Sequence, residues 1–187
     1  MLFFVKRHVA LDLAVTLVLG GAGLLGIRLL GLPLPLVASA RALAQGLGGA
    51  VLLGTWTLGV QLGYRVFKGP VYARELTLAL ARQFSGAGPV QMLLGGATAA
   101  FGEELFFRGL VQQRFGLVAG ALLFMAAHFG RRDIRVVSFW SLAQGLWLGL
   151  FFAWSGNLAV PMVAHGLFDI GGMVYFRALL ARPAAAT

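Results

Sequence analysis

The sequence predicts an all-α protein, a polytopic membrane helix bundle of about six spans with a polar cavity inside the bilayer. Three observations carry that expectation. Hydrophobic residues make up 59% of the 187-residue chain and charged residues 11%, against about 25% charged in an ordinary soluble domain. Apolar runs close to the roughly 20 residues needed to cross a bilayer recur along the whole length, and a chain this small has too little interior to hide them. Finally, a few ionisable residues sit inside the later runs, where each one is costly and by default functional. We read residues 1–187 as a single integral-membrane domain, with 89–180 as the part that carries chemistry.

The elements come in this order. A first span covers about 9–30 and ends at Gly31 with Pro33 and Pro35 behind it. Lys6, Arg7 and His8 precede this run, and Ala38-Ser39-Ala40 resembles a signal-peptidase site. The run exceeds the roughly 7–15 residues of a cleaved signal's apolar core, so a retained span is expected. A second span, about 42–63, is rich in Gly and Ala, which lets helices approach closely. From Tyr64 to Gly88 the chain is too charged to span; Tyr72, Leu76 and Leu80 recur every four residues opposite Arg74 and Arg82, predicting an interfacial amphipathic helix. Spans three to six lie at about 90–113, 117–130, 134–154 and 158–180, broken by Gly116, the cluster Gly130 to Asp133, and Ser155-Gly156-Asn157.

The net charge of +9 would suggest nucleic acid in a soluble protein, but here Lys and Arg lie between apolar runs. They read as topology signals and anionic-lipid contacts, with the bilayer and not nucleic acid as partner. An N-terminus placed inside leaves eleven Lys and Arg in cytoplasmic segments and three outside: Arg28, Arg41 and Arg114. Both termini are therefore expected in the cytoplasm. With no cysteine, disulfides and thiolate metal sites are absent. The sequence does not specify an oligomeric state.

Of six acidic residues, three lie at membrane depth: Glu103, Glu104 and Asp169. So do His128, His165 and Arg108. At 1.5 Å per residue, Glu103, His128 and His165 stand roughly 17, 18 and 12 Å from the outer turns, all near mid-depth of an apolar core about 30 Å thick. They are expected to converge on one cavity opening to the cytoplasm. Glu104 and Arg108 are spaced i, i+4 with the acid first, the favourable order for an ion pair. That pairing would leave Glu103 free for chemistry. His165 and Asp169 are also i, i+4, so the acid can fix the imidazole tautomer. The aromatics Phe106, Phe107, Phe139, Trp140, Trp147, Phe151, Phe152 and Trp154 are read as lipid-facing or interfacial.

These residues resemble a known family. Glu103-Glu104-Leu105-Phe106-Phe107-Arg108 is similar to the EExxxR motif of the CAAX-protease and bacteriocin-processing family (Abi, type II CAAX endopeptidase-like). Phe124-Met125-Ala126-Ala127-His128 resembles its FxxxH motif, and His165-Gly166-Leu167-Phe168-Asp169 its HxxxN motif with Asp in the last place. The resemblance covers about Pro89 to Phe176. It implies an intramembrane endopeptidase of a prokaryotic inner membrane, acting on a membrane-associated protein or peptide. Glu103 and His128 would activate water, and His165 with residue 169 would steady the oxyanion. Glu104, Arg108 and Phe124 would support the site. An ionised aspartate cannot donate a hydrogen bond as asparagine does, so Asp169 would either be protonated or hold His165 as the donor.

No cofactor is expected. The nearest alternative is a zinc peptidase with His128, His165, Asp169 and Glu103 as candidate ligands, although the HExxH spacing is missing. Readings from other classes are a proton-coupled transporter, which usually shows repeated halves, and a non-catalytic membrane scaffold or immunity protein.

Overall fold

The structure, a computed structural model, describes residues 2–69, 77, 88–128 and 135–180. Every regular element among them is helical: α1 (Leu2–Leu29), α2 (Ala40–Phe67), α3, α4 (Leu117–Ala127), α5 (Arg135–Ser155) and α6 (Ala159–Leu180). Helix α3 is α-helical over Pro89–Glu104, π-helical over Leu105–Gln112, and closes with one turn at Gln113–Phe115. Helices are therefore present where the six spans were expected, with boundaries shifted by a few residues, and the π-helical stretch is new. Tyr64 to Phe67, expected to open an interfacial helix, belong instead to α2. Most of the rest of that expected helix, including Tyr72, Leu76 and Leu80, lies outside the described residues, as does the cluster Gly130 to Asp133.

Local chemistry explains the ends. Helix α1 stops at Gly31, which takes a φ of +62°, and Leu32 N–H bonds back to Ile27 O at 2.9 Å; a left-handed glycine with this six-to-one bond satisfies the last carbonyls. Ser39 caps α2 by accepting from Ala42 N–H at 3.1 Å. Pro89 opens α3, where its missing N–H costs nothing, and Gln91 reaches back to accept from Gly88 N–H. Asn157 joins distant segments at the opposite end from α3's start. Its side chain exchanges two hydrogen bonds with the Val37 backbone, at 3.1 and 2.9 Å, and Leu158 N–H bonds to Pro35 O at 2.7 Å.

The helices pack through small residues. A Cβ added at Gly102 would lie 2.7 Å from Thr16 O, and one at Gly23 would lie 2.8 Å from the Leu105 carbonyl carbon. Helices α1 and α3 thus meet backbone to backbone, an approach only small residues allow. A core of Ala42, Leu53, Leu148, Phe151, Val160 and Ala164 ties α2, α5 and α6 together. Outside this core, large apolar side chains remain exposed on helix faces turned away from the bundle, among them Leu17, Val51, Leu62, Val90, Val118 and Trp154. Among the described residues, Ala40–Phe67 and Ala159–Ala178 are long and apolar enough to cross a membrane.

Part of the aromatic reading is corrected. Phe107, Phe151 and Phe152 are buried within the bundle, Phe107 against Phe124, Phe151 in the core of α2, α5 and α6, and Phe152 beside Leu105 and Leu158. Trp140 packs on Trp56 of α2 at 4.6 Å between ring centroids. Trp154 is exposed, as expected of a lipid-facing residue.

Two groupings frame the interior. The Pro89–Glu104 stretch packs against α1 and α6, whereas α4 packs against α5 and the π-helical stretch. Among the described residues, no Cα of α4 or α5 comes within 8 Å of the Pro89–Glu104 stretch. Nor does any Cα of α4 come that close to α6. The two groups are joined through α5 with α6 and through the π-helical stretch, and stand apart where the Pro89–Glu104 stretch faces α4 and α5.

Candidate active site

The site is assembled where these groups part. Glu104, the last residue of the α-helical part of α3, is fully buried. One carboxylate oxygen, Oε1, accepts from Arg108 Nη1 at 2.8 Å and from His165 Nδ1 at 2.9 Å. The ion pair expected from the i, i+4 spacing is formed. The spacing gave no sign of the second contact, because His165 is 61 residues away and on another helix.

Arg108 lies in the π-helical stretch, 1% exposed. Besides Glu104 it donates from Nη2 to Gly145 O on α5 at 3.0 Å, and its guanidinium sits 4.7 Å from the Phe124 ring centroid. One turn on, Gln112 Nε2 donates to Gly149 O at 2.8 Å. Glycine at 149 matters, since a Cβ there would lie 2.7 Å from the Gln112 amide oxygen. A π-turn inserts an extra residue and re-aims the side chains beyond it, a device common at functional sites.

His165 is 3% exposed. Its Nε2 stands 3.4 Å from Asp169 Oδ2, so both ring nitrogens face carboxylate oxygens, the partners of N–H donors. The i, i+4 contact expected between His165 and Asp169 is the longer of the two; Glu104, which the spacing did not point to, makes the shorter one. Asp169, at 31% side-chain exposure, is the more accessible of the two acids.

His128 ends α4. Its backbone N–H bonds to Met125 O at 3.0 Å, which leaves Phe124 O without its usual helical partner. The ring takes that place, with Nδ1 at 2.7 Å from Phe124 O. A carbonyl only accepts, so Nδ1 carries the hydrogen and Nε2 is the nitrogen left for other work. Phe124 is fully buried and organises the surrounding rings. Its centroid lies 4.7 Å from His128, 5.8 Å from His165 and 5.1 Å from Phe107.

Among the described residues, Glu103 Oε2 and Glu104 Oε2 are buried with no hydrogen-bond partner. The ionisable groups acting on Glu103 are His165, His128, Asp169 and Glu104. The structure thus brings every sequence-predicted site residue into one neighbourhood: Glu104, Arg108, His165 and Asp169 by direct contact, Phe124 and His128 by ring packing, and Glu103 by electrostatic reach. Among the described residues, no three His, Asp or Glu side chains are placed to hold one metal ion, and His165 already faces a carboxylate at each nitrogen.

Comparison with known proteins agrees with the motif reading. Residues 85–171 match the family described as Type II CAAX prenyl endopeptidase Rce1-like. An uncharacterised protein of Bacillus subtilis strain 168, YpbD, is 44% identical over 75 residues, a match covering 37% of this chain and 37% of that protein. The chain thus matches well under two thirds of its relative's length. No solved structure matches. Residues 85–171, which hold all three motifs, are similar to the type II CAAX prenyl endopeptidase Rce1-like family.

Proposed function

We propose that the protein is an intramembrane endopeptidase that hydrolyses a peptide bond in a membrane-associated protein or peptide, with both termini cytoplasmic and the helices forming about six spans. The observation that carries this reading is a buried Glu103 oxygen with no hydrogen-bond partner among the described residues, in the same bundle as a His128 ring whose Nδ1 is committed to Phe124 O, so that Nε2 is the nitrogen left to act as a base. A carboxylate and an imidazole together make a general-base pair. The gap between the Pro89–Glu104 stretch and helices α4 and α5 serves as the cavity, with Glu103 on one wall, His128 on the other, and His165 with Asp169 between them.

In this chemistry, water gives one proton to the Glu103–His128 pair as its oxygen bonds to the scissile carbonyl carbon. The carbonyl electron pair moves onto oxygen. His165 Nε2 exchanges its long Asp169 contact for a hydrogen bond to that oxyanion, the kind of donor that lowers such barriers most. Collapse expels the amine, which takes back the proton. Glu104, held by Arg108, keeps the His165 ring oriented. No step is routed through a metal.

The test compares wild type with Glu103→Gln and His128→Ala in membranes, using terminal-peptide mass spectrometry on membrane proteins of the same cell. New termini should appear only with wild type. A Glu103→Gln protein producing the same termini refutes the assignment.

A further inference from the structure

The turns from α1 to α2, α3 to α4 and α5 to α6 meet at one end of the bundle, and all three lie among the described residues. Hydrogen bonds gather them into one layer. Gln113 Nε2 donates to Pro33 O at 3.1 Å, Leu158 N–H donates to Pro35 O, and Asn157 exchanges two bonds with Val37. The segments involved, residues 28–41, 113–117 and 155–159, carry Arg28, Arg41 and Arg114 and no other charged residue. All three arginines are exposed. The acid nearest to any of them along the chain, Glu104, stands ten residues before Arg114 and is buried against Arg108 and His165.

Helix chemistry accounts for two of these arginines but not the third. Arg28 and Arg114 sit in the last turns of α1 and α3, where a cation complements the helix dipole. Arg41 sits in the first turn of α2, where a cation opposes it. Among the described residues, Arg28 and Arg41 form no hydrogen bond or ion pair, and Arg114 has only the Phe115 ring, 5.5 Å from its guanidinium. The donors of all three are left for a ligand, and a guanidinium fork matches the oxygens of a phosphate. The residues beside them are apolar and exposed: Leu29, Leu30, Leu34, Val37 and Phe115. An acidic soluble partner matches the charges alone, whereas a phospholipid meets both the arginines and the apolar side chains beneath them. A zwitterionic headgroup would also bring an ammonium, and these segments hold no carboxylate to receive it.

We propose that Arg28, Arg41 and Arg114 form a seat for an anionic phospholipid, with the guanidinium groups on its phosphodiester and its acyl chains along the exposed apolar residues. This rests on the multi-span reading above and not on the peptidase chemistry. The lipid holds the Pro33–Val37 turn at the membrane surface, and through Gln113 and Asn157 it holds the end of α3 and the start of α6 there as well.

The experiment titrates the purified full chain in detergent with phosphatidylglycerol or phosphatidylcholine of equal chain length, and native mass spectrometry counts the bound lipids. Wild type should prefer phosphatidylglycerol, and added salt should weaken that preference. An arginine beside an anionic lipid is worth about fivefold in affinity. The Arg28→Gln/Arg41→Gln/Arg114→Gln variant should therefore bind about a hundredfold more weakly. Arg41→Gln alone should lose about fivefold, and it decides the matter if the triple variant does not fold. Arg65→Gln/Lys68→Gln, at the far end of α2 and well beyond screening range, should change binding less than about twofold. Equal binding of the two lipids overturns the seat, as do glutamine variants that bind phosphatidylglycerol like wild type. Loss of binding in Arg65→Gln/Lys68→Gln overturns it by moving the lipid to the other end. Polyglutamate binding as tightly as phosphatidylglycerol, with the same loss in Arg41→Gln, overturns it in favour of an acidic protein partner. Peptide cleavage is scored separately and stands or falls without these results. A chain that stays in solution without detergent overturns the seat and the multi-span reading together.

Discussion

Replacing Arg108 by alanine separates architecture from chemistry. The guanidinium is 1% exposed and makes three contacts: Glu104 Oε1 at 2.8 Å, Gly145 O at 3.0 Å and the Phe124 ring at 4.7 Å. Charged hydrogen bonds contribute about 1.5–3 kcal/mol each and a desolvated cation–π contact up to about 2, but these share one group and do not add. The governing loss is the unpaired Glu104, fully buried and left with His165 alone. Breaking a buried pair costs about 3–5 kcal/mol. For a chain of 150–250 residues that corresponds to roughly 6–20 °C in melting temperature. Glu103→Gln is the contrast, because its Oε2 has no partner to lose and melting should stay within a few degrees. The assay is thermal unfolding in detergent monitored by intrinsic fluorescence, with cleavage measured on the same samples. Expected results are a destabilised Arg108→Ala and a stable, inactive Glu103→Gln. Equal melting temperatures for Arg108→Ala and wild type would refute the role of the buried pair.

The same geometry sets further outcomes. Gly102→Ala puts a Cβ 2.7 Å from Thr16 O and should lower the melting temperature, whereas Gly171→Ala, with nothing within 4 Å, should leave it unchanged; unfolding curves of the two decide. Removing the Gln112 amide by Gln112→Leu strips Gly149 O of its donor and should cost about 1–3 kcal/mol, read from the same curves. Cysteines placed at 133 and 156 should differ toward an impermeant maleimide in intact cells, with 156 labelled and 133 protected; the reverse pattern inverts the proposed topology. Peptide cleavage should survive a zinc chelator, and activity lost to the chelator and regained with zinc would overturn the metal-free proposal.

Composition and run lengths alone determined that the chain is helical and roughly where its helices lie, because a span's length and apolarity are local properties. Gly31, Gly116 and Gly156 marked three ends for the same reason, each taking a positive φ. Spacing within one helix also announced the Glu104–Arg108 pair, since i, i+4 side chains meet whatever surrounds them. It was silent on the π-helical stretch that begins after Glu104, which no residue pattern signals. Only the tertiary structure decided which faces are inside. Phe107 is a core residue because α4 covers it through Phe124, and Phe152 because it packs with Leu105 and Leu158, while Trp154, of the same chemical kind, faces out. The same holds for Glu104. From sequence it is one half of an ion pair; in the bundle its oxygen is shared between Arg108 and His165, so an architectural residue also orients a site residue. A contact between residues 61 positions apart depends on helix crossing and register, and these arise from packing between whole helix faces, which single-chain periodicity does not encode.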